Sequence, residues 1–478
     1  MKTTLAVCLL ICLLMLGGCT VGPDFHAPAA PDTQSYTRSA SPAFSTADHA
    51  LPQWWKQFGS DALNRLVDEA LRNSPTLAQA RARLTQARED YQAQAGATYY
   101  PAIDASLSGS RQKVDPAAFG VPVPSPGPFT LYDASVSVSY SLDIFGGDRR
   151  ALEALRAQVD YQAFEMDAAR LSIAGNVVST AIRRASLQAR VTLTQGMVDA
   201  QTQQLSIMEA RMAAGGVSRF DVRSQRTLLE QTRAGVPALL AQRDAADHRL
   251  AILLGVEPSS ADFDALTFDT LRVPDDVPLT LPSTLARERP DIRASEALLH
   301  QASANVGVAT ADLYPKFSLS VGVGSQRTSI HDMLDKLNVW NIGLNLSQPL
   351  FRGGELRARK RSAEAAYDAA ASAYRETVLD ALQQVADTLS ALQNDADAQR
   401  ARDIAANEAQ ANLDTTHARF AAGGVSRFDL LDTQRQALQT QLDRTLAHAS
   451  RLSDTAALFQ ALGGIESETV TSRASARR

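Results

Sequence analysis

The sequence predicts a mixed α/β membrane protein with an internal two-fold repeat, in which paired amphipathic strands alternate with very long helices. Three observations predict it. The nonapeptide AAGGVSRFD occurs twice, at Ala213–Asp221 and at Ala421–Asp429. Four segments of about ten residues alternate between apolar and polar side chains, the period of a strand whose two faces meet different surroundings. The long stretches between them are rich in Ala, Gln, Arg and Leu and carry apolar residues every seven positions, which is the spacing of helices that wind around one another.

The N-terminus sets the compartment. Lys2 precedes the apolar run Leu5–Leu16, which has the length of a signal-peptide core and is too short to span a membrane. The run ends in LGGC, and small residues before a cysteine are what a lipoprotein signal peptidase requires. Residues 1–18 are therefore expected to be removed and Cys19 to carry lipid, the alternative being an ordinary signal peptide with an incidental cysteine. Cys8 and Cys12 lie in the leader, so the mature chain is expected to hold neither a disulfide nor a thiolate metal site. Thr20, where an Asp would resemble an inner-membrane retention signal, favours the outer membrane. With 45% apolar and 21% charged residues the chain is not a disordered one, and its net charge of −5 gives no basic pull toward nucleic acid.

The order of elements follows the repeat. A lipidated segment (19–60) leads into repeat 1 (61–255), a linker (256–285), repeat 2 (286–464) and a flexible tail (465–478). Each repeat reads helix, β-hairpin (100–143 and 314–349), very long helix, turn (213–221 and 421–429), helix. The predicted helices are Asp61–Tyr99, Gly147–Ala214 and Val217–Leu254, then Ile292–Leu313, Gly354–Ala422 and Val425–Leu462. In the second of these Leu152, Val159, Met166 and Ile173 form one seam and Leu155 its neighbour. At 1.5 Å per residue such a helix is about 100 Å long.

The strands are assigned by faces. Val136, Val138, Tyr140 and Leu142 oppose Ser135, Ser137, Ser139 and Ser141. Phe317, Leu319, Val321 and Val323 oppose Ser318, Ser320, Gly322 and Gly324. Trp340, Ile342, Leu344 and Leu346 oppose Asn341, Gly343, Asn345 and Ser347, and Ile103 and Leu107 oppose Asp104, Ser106 and Ser108. A soluble hairpin lying on a core would show the same alternation. However, each hairpin is isolated between long helices, and a lone hairpin is barely stable in water. Small polar residues suit a wet lumen and branched or aromatic ones suit lipid. Four strands cannot close a barrel, so copies must pool them; the arithmetic allows a dimer, a trimer or more. The Pro-rich Val121–Phe129 and the segment Arg327–Asn338 are read as outer loops, since proline cannot donate to a ladder.

The nonapeptide reads as a stop and a restart. Gly215, Gly216, Gly423 and Gly424 are expected to end the long helices in the left-handed conformation. Ser218 and Ser426 are N-caps, and Asp221 and Asp429, three residues on, complete capping boxes. Capping alone would tolerate many spellings. Repetition of Val217 and Val425, with the Arg and Phe that follow, suggests a partner at the turns, recent duplication being the competing explanation.

At this point the chain resembles the TolC-like outer-membrane factors, in the lipoprotein branch that includes OprM and NodT-type proteins. CTVGPDFHAP, WWKQFGSDALNRLVDEAL, LPSTLARERPDIRASEALL and ARFAAGGVSRFDLLDTQ carry the resemblance in that order, across essentially the whole mature chain. It implies a homotrimer with a twelve-stranded barrel continued by a helical periplasmic tunnel. It further implies a periplasmic adaptor docking at the turns, an inner-membrane transporter, and a role as the exit duct of a tripartite efflux pump for small toxic compounds. An Asp-rich periplasmic gate is matched in the second half only: Asp429 and Asp432 stand where the first half has Asp221 and Ser224. Asp432 is the expected gate residue, with part of the carboxylate ring titrating above the usual value near 4; a surface ion pair with Arg435 is the alternative. Catalytic residues, cofactors, metals and nucleic-acid contacts are not expected, and His248, His417 and His448 stand singly. A type I protein-secretion duct, a non-conducting surface lipoprotein and a cell-wall enzyme are the competing functions.

The lipid assignment is directly testable. Metabolic labelling with a fatty-acid analogue is expected to mark the wild type and not Cys19→Ser; equal labelling of both would refute it.

Overall fold

The computed structural model describes residues 20–33, 35–37, 46–47, 51–113, 120, 127–260, 262–263, 265–274, 279–280, 282–332 and 336–464. Cys19, the leader, the greater part of the Val121–Phe129 loop and the tail lie outside the described residues. In chain order the strands are β1 (Thr46–Ala47), β2 (Ala102–Gln112), β3 (Phe129–Leu142), β4 (Leu279–Thr280), β5 (Lys316–Arg327) and β6 (Val339–Ser347). The helices are α1 (Asp61–Asn73), α2 (Pro75–Tyr99), α3 (Gly147–Ala213), α4 (Arg219–Leu254), α5 (Pro282–Glu288), α6 (Pro290–Ala311), α7 (Glu355–Ala421) and α8 (Arg427–Ala461).

Two differences from the sequence reading have simple causes. The expected single helix over 61–99 is two, broken at Ser74, because a residue before proline is pushed out of helical geometry; Ser74 has ψ 125°. The stretch expected to be a bare linker holds two short 3-10 turns, Pro258–Ser260 and Phe268–Thr270, and the strand β4, which pairs in parallel with β1.

The chain divides into two compact units. One comprises the N-terminal segment up to Pro28 with Leu84–Gln162 and Ser295–Tyr374. Its centre is one antiparallel sheet in the order β2-β3-β5-β6, so the two hairpins, read as isolated in the sequence, are joined through β3 and β5. Register keeps the faces pure. Ile103, Val138, Val321 and Ile342 form one row across the sheet, and Asp104, Ser137, Gly322 and Asn341 form the next, on the opposite face. The apolar rows stay exposed at the sheet's outer strands, Leu107 at 70% and Ile342 at 69%. A soluble sheet would bury such a face, whereas these outer rows stay uncovered among the described residues. No described helix is long and apolar enough to cross a membrane.

The same unit straps down its N-terminus. Gly22, at φ +95°, approaches Gly307 so closely that a Cβ on Gly22 would lie 2.4 Å from the Gly307 Cα, which leaves room for glycine alone at either place. The Arg150 side chain, 5% exposed, donates to Asp24 at 2.7 Å, to Glu153 at 2.7 Å and to the Val21 carbonyl at 3.3 Å. Glu153 is also bonded by His300 Nε2 at 2.8 Å, and the His300 ring stacks on Phe25 with centroids 4.4 Å apart. A buried guanidinium is costly unless its donors are met, and here the N-terminal segment supplies part of what meets them.

The second unit comprises Ala29–Arg83, Ala163–Ala294 and the chain from Arg375 onward. Trp54 and Phe58 are fully buried against Phe459, the Trp54 and Phe459 rings stacking at 5.5 Å. Along α3 the expected seam residues Met166 and Ile173 are buried. Small residues share that interior, Ala174, Ala181 and Ala185 among them, and Leu187 of α3 packs with Leu239 and Ala246 of α4. Arg184 bridges Asp247 at 3.0 Å and the Leu266 carbonyl at 3.1 Å, fixing α4 and the following loop to α3.

Arg150→Ala is expected to release the strap without unfolding the sheet. Limited proteolysis should then cut near Asp24 and Phe25 in the variant and not in the wild type; equal resistance would show that Gly22 and Phe25 hold the segment unaided.

Candidate functional site

Each long helix ends, and its successor begins, within the repeated nonapeptide, and both turns lie in the second unit. At the end of α3 the Gly216 amide donates to the Arg211 carbonyl at 2.8 Å and the Gly215 amide to the Met212 carbonyl at 3.0 Å. At the end of α7 Gly424 donates to Arg419 at 2.8 Å and Gly423 to Phe420 at 2.9 Å. These paired bonds are the Schellman arrangement, which satisfies carbonyls that a helix end leaves without partners. It requires a left-handed residue, and Gly215 (φ +78°) and Gly423 (φ +73°) supply it. Gly216 and Gly424 do not take that conformation, contrary to the sequence expectation, and a Cβ at Gly424 would meet nothing closer than 3.4 Å.

Val217 and Val425 follow, partly covered, and the new helices then start on capping boxes. Ser218 Oγ accepts from the Asp221 amide at 3.2 Å, while the Asp221 carboxylate accepts from the Ser218 amide at 3.0 Å and hydroxyl at 2.7 Å. Ser426 and Asp429 repeat the three bonds at the same distances. The serine hydroxyl, and after it the serine amide, hold both carboxyls below the ordinary value of 3.8. Because the shift is downward, each box is at full strength above the ordinary carboxylate range and weakens as pH falls through the depressed value.

Asp432 lies one turn into α8, three residues beyond Asp429 and on the same face. The ion pair weighed as the alternative to a gate role is present. Its Oδ1 accepts from Arg435 Nη2 at 3.0 Å and Nε at 3.2 Å, and its Oδ2 from Gln436 Nε2 at 2.8 Å. The pair is partly exposed, and such pairs hold by about 0–1 kcal/mol, so it is easily exchanged for another partner.

Two contacts at the turns escaped the sequence reading. The Arg211 guanidinium lies over the Phe428 ring, 5.9 Å from its centroid, and Arg427 Nη2 donates to Gln203 Oε1 at 3.0 Å. Each joins a residue of one repeat to one of the other. The repeated Arg and Phe of the nonapeptide were their visible signal.

Paired strands of membrane-facing pattern, 67-residue helices and duplicated turns match one family almost throughout: the outer membrane efflux proteins, over residues 66–256 and 281–464. The chain belongs to that family. It is 31% identical to the pyoverdine export outer membrane protein OpmQ of Pseudomonas putida, over 96% of this chain and 97% of the relative. It is 30% identical to the toluene efflux pump outer membrane protein TtgI of Pseudomonas putida, over 95% and 96%. Among solved structures it resembles the outer-membrane channel OprN, with a TM-score of 0.82 and 29% identity, over 93% of this chain and 99% of that one. As a member of this family the chain is an outer-membrane efflux channel, and β2, β3, β5 and β6 are its barrel strands.

The two glycines of the second turn are expected to differ. Forcing a β-branched residue into the left-handed conformation costs about 1–3 kcal/mol, so Gly423→Val should distort the turn. Efflux-dependent survival should fall sharply in that variant, with the multimer still assembled, whereas Gly424→Ala should survive as the wild type does. Loss of the multimer in Gly423→Val would assign the glycine to folding instead.

Proposed function

We propose that three copies of this chain close a twelve-stranded barrel in the outer membrane and serve as the passive exit duct of a tripartite efflux pump. A periplasmic adaptor meets the turns at Gly215–Ser218 and Gly423–Ser426 and links the duct to an inner-membrane transporter. Lipid on Cys19 adds a second hold on the membrane. Cargo passes without bond chemistry, so selection among compounds lies with the transporter.

The observation that carries the reading is the four-stranded sheet with an exposed apolar face and two free edges, β2 and β6. Backbone groups left without partners are not tolerated in hydrocarbon, and bacterial barrels have at least about eight strands. Two further copies bring the strands to a number that closes. The relatives point the same way, since OpmQ and TtgI are described as export and efflux-pump components.

Within this duct Asp432 narrows the periplasmic mouth. Around a three-fold axis Asp432 and Asp429 bring carboxylates close together, and Arg435 offsets part of the charge. A multivalent cation competes with Arg435 for Asp432 and plugs the opening. Reconstituted protein in planar bilayers should give discrete conductance steps, and their absence would overturn the channel reading. Asp432→Ala should reduce block by hexammine or divalent cations from the periplasmic side several-fold, and Asp221→Ala should change it much less. Equal behaviour of the two variants would remove Asp432 from the gate while leaving the duct intact.

A further inference from the structure

The internal repeat turns the in-chain junction into a template for the junction between copies. Within the chain, the second strand of repeat 1 (β3) pairs antiparallel with the first strand of repeat 2 (β5), and Val138 faces Val321. Just beyond this pairing, where strands give way to helices, the Phe145 ring stacks on Tyr314 with centroids 4.7 Å apart and planes 25° from parallel. Tyr314 precedes Pro315, and Phe145 precedes the glycines that open α3.

The other two strands carry the same marks without the partner. Tyr100 precedes Pro101 at the start of β2, and Phe351, with Arg352 inserted after it, precedes the glycine pair that leads into α7. Both rings stand in solvent, Tyr100 at 72% exposure and Phe351 at 89%. Val138 lies seven residues before Phe145, as Leu344 lies seven before Phe351; Val321 lies seven after Tyr314, as Leu107 lies seven after Tyr100. Leu344 and Leu107 are exposed at 66% and 70%, on the free edges of the sheet.

Resting on the pooled-strand reading above, we infer that β6 of one copy pairs antiparallel with β2 of the next in the register that sets Leu344 opposite Leu107, and that Phe351 stacks on Tyr100 of that next copy. The inference names the surface and its partner, a second copy of this chain, residue by residue. The neighbouring rows follow: Asn345 opposite Ser106 on the polar face and Leu346 opposite Ala105 on the apolar one. An aromatic pair at each junction would then ring the sheet where it meets the helices. The turns obey the same rule independently. Arg211 covers Phe428 within the chain, while the counterparts Arg419 and Phe220 are both exposed, Phe220 at 76%.

Cysteine pairs in the full-length protein test the register in its own membrane, because the leader thiols and Cys19 are the sequence's sole cysteines. Residues directly opposite in an antiparallel pair have Cα atoms about 4.5–5.5 Å apart, within disulfide reach, and adjacent pairs alternate between two ladder geometries. Either Leu107→Cys with Leu344→Cys or Ser106→Cys with Asn345→Cys should therefore give covalent dimers and trimers when oxidised with a membrane-permeant copper complex. The in-chain counterpart, Val138→Cys with Val321→Cys, should close within monomers. Leu107→Cys with Leu346→Cys, slipped by two residues on the same face, should cross-link several-fold less. Equal or better cross-linking of the slipped pair would overturn the register and leave the pooled barrel standing. Failure of every intermolecular pair while the in-chain pair closes would overturn both. For the rings, Phe351→Ala and Tyr100→Ala should each lower the temperature at which the multimer dissociates in detergent, and the double variant no further than the singles. Additive losses would show that the two rings do not meet.

Discussion

Hydrocarbon offers a backbone amide no partner, and most of this protein follows from that constraint. Every N–H and C=O at membrane depth has to be bonded to another strand, so the strands must pair along their whole length and no edge can remain. Inside the chain this is met by three ladders, β2 with β3, β3 with β5 and β5 with β6. The side chains are then sorted by what lies on each face: Val, Ile, Leu and Trp outward, Ser, Gly and Asn inward. Close approach on the inward face also decides residue size. A Cβ at Gly322 would meet the Asn341 side chain, and one at Gly324 would strike the Ala134 carbonyl at 2.6 Å.

Beyond the strands the surroundings become water, and the packing rule changes from sorted faces to seams. Helices of 67 residues cannot be held by propensity alone; α3 is held by buried Ala, Leu, Val and Ile from Leu152 to Ala200, and α7 over a middle stretch from Tyr374 to Ala406. Alanine lets backbones approach, so thin helices pack closely with few aromatics. The cost of such length falls at the ends, where each helix must reverse in a few residues. One left-handed glycine and one capping box per turn are sufficient, and neither is buried, so the turns stay free to present their outer residues.

Much of this was legible in the sequence because it is local. Period-two alternation marked all four barrel strands, and the nonapeptide marked both turns down to Ser218, Asp221, Ser426 and Asp429. The break at Ser74 was equally local, written in the Ser-Pro dipeptide, although the segment was read as one helix. The features that stayed hidden depend on residues far apart. The β3 to β5 pairing joins residues of different repeats, and the strap of Thr20–Pro28 depends on Arg150, His300 and Gly307, none of which announces a partner. For Asp432 the Arg435 pair, weighed as the alternative to a gate, is present within the chain, and a role at a mouth shared between copies depends on residues that a single sequence does not bring together. Of Gly215, Gly216, Gly423 and Gly424, composition could not tell which of each pair carries the positive φ.

The two halves differ where an exact duplication would have been redundant. At the first strand-to-helix junction the Asp143 carboxylate accepts from the Asp148 amide at 3.1 Å and the Arg149 amide at 2.8 Å, Arg149 Nε adds a bond at 3.2 Å, and Thr20 and Val21 pack beside Gly146. That junction is over-determined by its own chain. At the second junction Pro349 and Leu350 replace Asp143 and Ile144, and Gly353 and Gly354 both take positive φ values with open space around them. Leu350 and Phe351 are left exposed at 92% and 89%. A glycine pair without neighbours costs conformational entropy to order, and two exposed apolar side chains cost hydration. Both costs are recovered only when another surface covers them. The first junction is thus finished within the chain, and the second leaves Leu350 and Phe351 as apolar surface that the inferred contact with the next copy would cover.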